Sequence, residues 1–129
     1  MVKVIADTVV LIHALSGDET RQSPIARKIV ADSELIAISI VALCLACEAL
    51  LQDHKRSRAE VARAIETLIS NENIRVDNDA VNAGLATLFA KGDFTEGVTI
   101  HQGRLLGGET FVSFAENLQE IGDDVRLPS

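Results

Sequence analysis

The sequence predicts an α/β fold, a small parallel sheet of four to five strands flanked by helices. Three observations predict it. Short β-branched runs, VKVIA, ELIAI, IRV and ETFVSF, alternate with segments of helical periodicity, and that alternation means parallel strands joined by helical crossovers. The first two runs each stop at a polar residue, Asp7 and Ser39, with an apolar helix following at once. Hydrophobic residues make up 47% of the 129 residues while aromatics make up 3%, with no Trp or Tyr. That is material for one aliphatic core, so the chain reads as a single domain over residues 1–129, without repeats, low-complexity segments or linkers.

Each element has its own signal. VKVIA is a buried strand, and TVVLIHAL is a short apolar helix stopped at Ser16-Gly17. Ser23-Pro24 pairs a helix cap with a proline at the first helical position, and IARKIVA carries that helix to Asp32. ELIAI is the second strand. ISIVALCLACEALLQ follows, capped by Ser39 and apolar nearly all round, which predicts a buried helix. Ser57-Arg58-Ala59-Glu60 is a capping box opening a helix with Val61, Ile65, Leu68 and Ile69 on one stripe. IRV is the third strand. Asp77 caps a helix with Val81, Leu85, Leu88 and Phe89 facing inward, ended by Lys91-Gly92. Asp93 opens the next helix, FTEGVTIHQGRLL, closed by Gly107-Gly108. ETFVSF is the fourth strand, and the tail holds a short helix and a last strand near Val125–Leu127.

The apolar runs are short and broken by charge, so no segment is expected to span a membrane. MVKVIAD lacks the pattern of a signal peptide, and the expected location is cytoplasmic. The formal charge of −7 and pI near 4.8 argue against broad binding of nucleic acid by charge alone. They leave room for a metal-dependent nuclease, whose carboxylates are a large negative contribution that bound cations reverse locally.

In parallel sheets the ligand site lies at the carboxyl ends of the strands, so the residues ending the strands matter most. Asp7 ends the first and Ser39 the second. Ser113 ends the fourth, with Ala115 and Glu116 behind it. Asp93 and Glu96, at i and i+3 in the first turn of a helix, share one face. Together these oxygens make a candidate hard-metal site. Asp93 and Glu96 also fit a plain capping pair. Asp7, directly after an apolar strand, is expected to be partly buried, where a charge needs a partner or a metal.

VIADTVVLI, ISIVALCLACEALL, DFTEGVTIHQG and TFVSF, in this order and spacing, resemble the PIN-domain family, and within it the VapC-like toxins of toxin–antitoxin pairs. The resemblance covers nearly the whole chain. It implies a three-layer PIN-like fold and a Mg²⁺- or Mn²⁺-dependent endoribonuclease. It also implies an RNA substrate, an antitoxin-like protein partner and a homodimer. Carried over by position, the metal ligands and catalytic acids are Asp7, Asp93 and Glu96, and the substrate-positioning residues are Thr8, Ser39 and Ser113. The chain departs from the family pattern at five places. Val9 stands for an Asn, Leu45 for the second acid, Glu96 for an Asp, Ser113 for a Thr and Ala115 for the last acid. A reach longer by one methylene at Glu96 shifts the charge by about 1.5 Å, and ~1 Å can cost on the order of a hundredfold in rate. A weak or inactive nuclease is expected. The alternative is a non-catalytic PIN domain that binds an antitoxin-like partner or RNA.

Glu48 and Glu116 are the nearest stand-ins for the missing acids, and neighbouring side chains near a strand point opposite ways. Cys44 and Cys47 form a C-x-x-C, but they lie past the first helical turn, and zinc would need two further ligands from the scattered His13, His54 and His101. They read as small core residues. His54-Lys55-Arg56-Ser57-Arg58 reads as a solvated turn, with RNA phosphate contact as the functional alternative. A receiver-like phosphoacceptor domain also places an Asp after its first strand, but the third strand here leads to no matching aspartate and the last offers no lysine.

Overall fold

β1 (Lys3–Ala6) forms where the β-branched run predicts it and pairs in parallel with β2 (Leu35–Ile38), Lys3 opposite Leu35 through Ala6 opposite Ile38. β2 pairs in turn with β3 (Ile74–Arg75), Ile36 opposite Ile74, so β2 is the central strand of the order β1-β2-β3. The computed structural model describes residues 2–17, 22–114 and 125–126. Its chain divides into two units, Met1–Asp77 and Asn78–Ser129.

The first unit holds this sheet and four helices, α1 (Thr8–Ser16), α2 (Gln22–Asp32), α3 (Ile40–Gln52) and α4 (Arg58–Ile69). α1 packs against the other three. The alternation of a strand decides which residues face this core: Ala6, Ile36, Ile38 and Ile74 are buried, while Lys3, Ile5 and Arg75 are exposed. Leu11, Leu43, Leu50, Val61 and Ile65 complete an aliphatic interior. A polar tie holds the sheet to α2. The side-chain amide of Asn73 donates to the carbonyls of Val30 at 2.6 Å and Ser33 at 3.0 Å. The hydroxyl of Ser33 donates to Ile29 at 2.7 Å. Last-turn carbonyls that the helix itself leaves without partners are thereby satisfied.

The second unit begins with α5 (Asn78–Phe89) and α6 (Phe94–Leu105), a closely packed helical hairpin. β4 (Phe111–Val112) and β5 (Val125–Arg126) then pair in parallel. Two glycines permit the helix approach. A Cβ on Gly84 would meet the ring of Phe94 at 2.5 Å, and one on Gly97 would run into Thr87 and the carbonyl of Ala83.

Several expectations change. The predicted sheet of four to five strands is present as a ladder of three and a separate ladder of two. β3 and β4 are each two residues long, shorter than the runs IRV and ETFVSF that predict them. α2 starts at Gln22, so Ser23 is a buried first-turn residue rather than the cap. Pro24 is tolerated there because first-turn N–H groups have no intrahelical acceptor. α3 is buried on one side only. Leu43, Cys44, Ala46, Cys47 and Leu50 are covered, whereas Val41 is 66% exposed and Leu45 49%, because its neighbours α1 and α4 cover one face. Phe89, expected to face inward with Val81, Leu85 and Leu88, is the last residue of α5 and is exposed. The predicted tail helix falls outside the described residues. Among the described residues, no helix is long and apolar enough to cross a membrane.

The hairpin makes a test of sign. Alanine normally exceeds glycine in a helix by up to about 1 kcal/mol, but overpacking costs about 1–3 kcal/mol. Gly97→Ala is expected to lower the urea midpoint. Gly103→Ala, on the same helix with nothing within 4 Å of its Cβ, is expected to raise it.

Candidate functional site

The β1–β2 register brings Asp7 and Ser39 together. Ala6 and Ile38 are paired partners, so the next residue on each strand lies at the same carboxyl edge, with adjacent strands about 4.8 Å apart. Both are helix caps. Asp7 is extended (φ −86°, ψ 174°) and its Oδ1 accepts from the N–H of Val10 at 2.9 Å. Ser39 (φ −73°, ψ 145°) accepts from the N–H of Ala42 through Oγ at 3.1 Å. Thr8 is the first residue of α1. Two helix N-termini thus open at one edge, and their partial positive charge favours the carboxylate of Asp7.

Asp7 is exposed, not partly buried as expected. The strand ends at Ala6, and the chain turns outward there to start α1. Its charge needs no buried partner. Capping engages one oxygen, and a carboxylate has two with about four lone-pair sites, so capping and metal ligation are compatible roles.

The other two acids lie in the second unit. Asp93 is the N-cap position of α6 (φ −98°, ψ 144°), and the Glu96 carboxylate reaches back to accept from the Asp93 N–H at 3.4 Å. That bond is longer than the usual range. Both side chains are half-buried and occupy the first turn, as the sequence predicts. Ser113, just past β4, is half-buried. The first unit thus groups Asp7, Thr8 and Ser39, and the second groups Asp93 with Glu96. Among the described residues, neither unit by itself holds three or more His, Cys, Asp or Glu side chains placed to share a metal ion. Leu45, where the family pattern has an acid, lies on the exposed side of α3 together with Glu48. Ala115 and Glu116 lie outside the described residues.

The remaining candidates have structural accounts. Cys44 and Cys47 are buried and form no disulfide. Burial, then the neighbouring Cys44 and Glu48, pushes the Cys47 thiol far above the ordinary cysteine range, the opposite of what a reactive thiol needs. The His54–Arg58 run is the exposed connection into α4, with Lys55 in the left-handed region at φ 52° and Arg56 reaching Glu60 at 3.9 Å. His13 and His101 are half-buried. The residue that sequence reasoning passes over is Arg104. It reads as an ordinary last-turn cation on α6, and only the clefts on either side of it single it out. No known protein family, curated protein or solved structure matches the chain.

Two predictions follow from this geometry. Asp7→Ala is expected to cost about 1 kcal/mol by chemical denaturation, the usual loss of a cap, and Asp7→Asn a few tenths, because Asn caps nearly as well. Iodoacetamide at pH 8 is expected to leave Cys47 unmodified in the folded protein and to modify it in urea, read by mass spectrometry.

Proposed function

We propose that this chain is a PIN-domain protein of the VapC-like type, a Mg²⁺- or Mn²⁺-dependent endoribonuclease with a reduced acid set and correspondingly weak cleavage. The observation that carries the reading is the parallel β1–β2 register, which sets Asp7 beside Ser39 at the carboxyl edge of the sheet, where α/β proteins place their ligands. Asp93 and Glu96 at the start of α6 support it. The reading carries with it the three-layer fold.

In this reading Asp7, Asp93 and Glu96 are the metal ligands, hard oxygen donors of the kind Mg²⁺ and Mn²⁺ take. The ion, when bound, would lower the pKa of a water and stabilise charge on the scissile phosphodiester. The chain's own contribution is to fix donors. The α1 cap holds one oxygen of Asp7, which orients the other. Thr8, Ser39 and Ser113 supply hydroxyls to orient the phosphodiester, Ser39 with its Oγ already an acceptor toward Ala42. Glu96, which accepts from the Asp93 N–H, is the donor one methylene longer than the family pattern has, the change on which the expectation of weak activity rests.

A second reading rests on a different observation. A cavity of about 450 Å³ lies along α1, α2 and α4, with Ala14, Leu15, Val30 and Leu68 as its apolar lining and Arg27 and Arg63 as its cations. It suits an antitoxin-like protein partner, and the exposed Val9, Val41 and Leu45 suit burial in a homodimer. On this reading the domain binds without cutting.

RNA cleavage in Mn²⁺ separates the two. The protein as it stands is expected to cut slowly, Asp7→Ala and EDTA to abolish cutting, and Leu45→Glu with Ala115→Asp to raise the rate at least tenfold. Leu45 is half exposed, so a glutamate there meets solvent. Cleavage by the restored protein alone would assign the natural chain to binding, and cleavage by neither would remove the nuclease reading.

A further inference from the structure

Arg104 on α6 stands between two hollows of the second unit. One, about 250 Å³, lies between α5 and α6 and is lined by Thr87, His101 and Arg104 with small residues such as Ala86 behind them. The other, about 160 Å³, lies between α6 and β4 and is lined by Gly103, Arg104, Gly108, Glu109, Thr110 and Phe111. The same residue therefore borders both, and it is exposed. Glycines at 103 and 108 leave the second hollow unfilled by side chains. Phe111, half-buried, is an aromatic wall in a chain that has only four phenylalanines and no Trp or Tyr.

We propose that Arg104 anchors the backbone of a single-stranded RNA on this unit, with one base entering the hollow beside Phe111 and its neighbour the cleft beside His101. Arg is suited to phosphate because its planar fork donates two parallel hydrogen bonds. Single strands are held by cations along the backbone and by aromatic rings on which bases stack, and this arrangement offers one of each at adjoining positions. Thr110 and His101 supply polar groups for base edges. A chain of net charge −7 has no broad cationic surface, so a single placed cation with a stacking wall is the kind of site it can build. Arg104 is eight residues beyond Glu96 on the same helix, about 12 Å along its axis. A strand held at Arg104 would therefore extend a few nucleotides from the acids at the helix start. The proposal rests on the nuclease reading for its choice of RNA, and the experiment separates the two.

The test is fluorescence anisotropy of a labelled single-stranded oligoribonucleotide with the full chain in EDTA, across a salt series. Arg104→Gln is expected to weaken binding five- to tenfold at low salt and to lower the slope of log K against log salt by about 0.7, the share of one phosphate contact. Phe111→Leu is expected to weaken binding at least fivefold with the slope unchanged. Lys28→Gln, which removes an exposed cation paired with Asp32 on α2, is expected to change neither. Thermal melts check that each variant folds. The proposal is overturned if the chain does not bind the strand, if Arg104→Gln binds as the natural protein does, or if Lys28→Gln matches it. RNA binding that follows these expectations without Mn²⁺ cleavage by any version would leave the tract standing and remove the nuclease. Cleavage that depends on Asp7 but keeps its KM in Arg104→Gln would do the reverse.

Discussion

The register of β1 on β2 is the constraint on which the first unit depends. Four residues of each strand pair in parallel, and a slip of one would turn Ile36 and Ile38 from the core to the open face. The burial of those side chains therefore fixes the pairing, and the pairing fixes where each strand ends. Asp7 and Ser39 come to one edge because Ala6 and Ile38 are partners. Both then do the same local work, accepting the N–H of the third residue onward and starting a helix. Helix starts and candidate chemistry coincide here for one physical reason. A strand that must stop and turn into a helix needs an acceptor, and an acceptor at a sheet edge is also a donor of electrons to a cation.

The second unit rests on a different constraint, the closeness of α5 and α6. Gly84 and Gly97 remove side chains at the crossing, Phe94 fills the space against Gly84, and Thr87 turns its hydroxyl back to the carbonyl of Ala83 at 3.1 Å. The hairpin is thereby held at its acidic end, where Asp93 and Glu96 begin α6. The α6 face beyond Gly97 then borders a cleft rather than a filled seam, which leaves His101 and Arg104 beside open space.

The same acids answer two demands. As caps, Asp7 and Asp93 satisfy backbone donors and match the helix dipole. As proposed metal ligands, they must keep lone pairs for a cation. A carboxylate meets both demands, which a serine or an amide would meet less well. Leu45 shows the opposite balance. It is apolar on the exposed side of α3, so no packing need explains it, and nothing in the structure accounts for the choice.

Much was legible in the sequence because it is local. The Ser57–Glu60 box forms as written, with Glu60 N–H reaching Ser57 Oγ at 3.1 Å and Ser57 N–H reaching Glu60 at 3.3 Å. The breaks at Gly17 and Gly92, the starts of α1, α3 and α6, and the parallel pairing of β1 with β2 follow from caps, breakers and β-branched runs read over a few residues. What tertiary structure decided is which side of each element is covered. Leu45 and Phe89 are apolar and exposed, Ser23 is polar and buried, and β1, expected to be a buried strand, is covered on one face only, with Ile5 86% exposed and Asp7 in solvent after it. Periodicity gives a helix its stripe, but the partner that arrives determines how much of that stripe is removed from water. The clefts around Arg104 belong to the same class, since they exist only because α5, α6 and β4 meet at particular distances. The sequence by itself determined the order of elements and the acids that begin its helices, through short-range hydrogen bonding. Burial, exposure and open space were decided by packing between residues far apart in the chain, which no local pattern encodes.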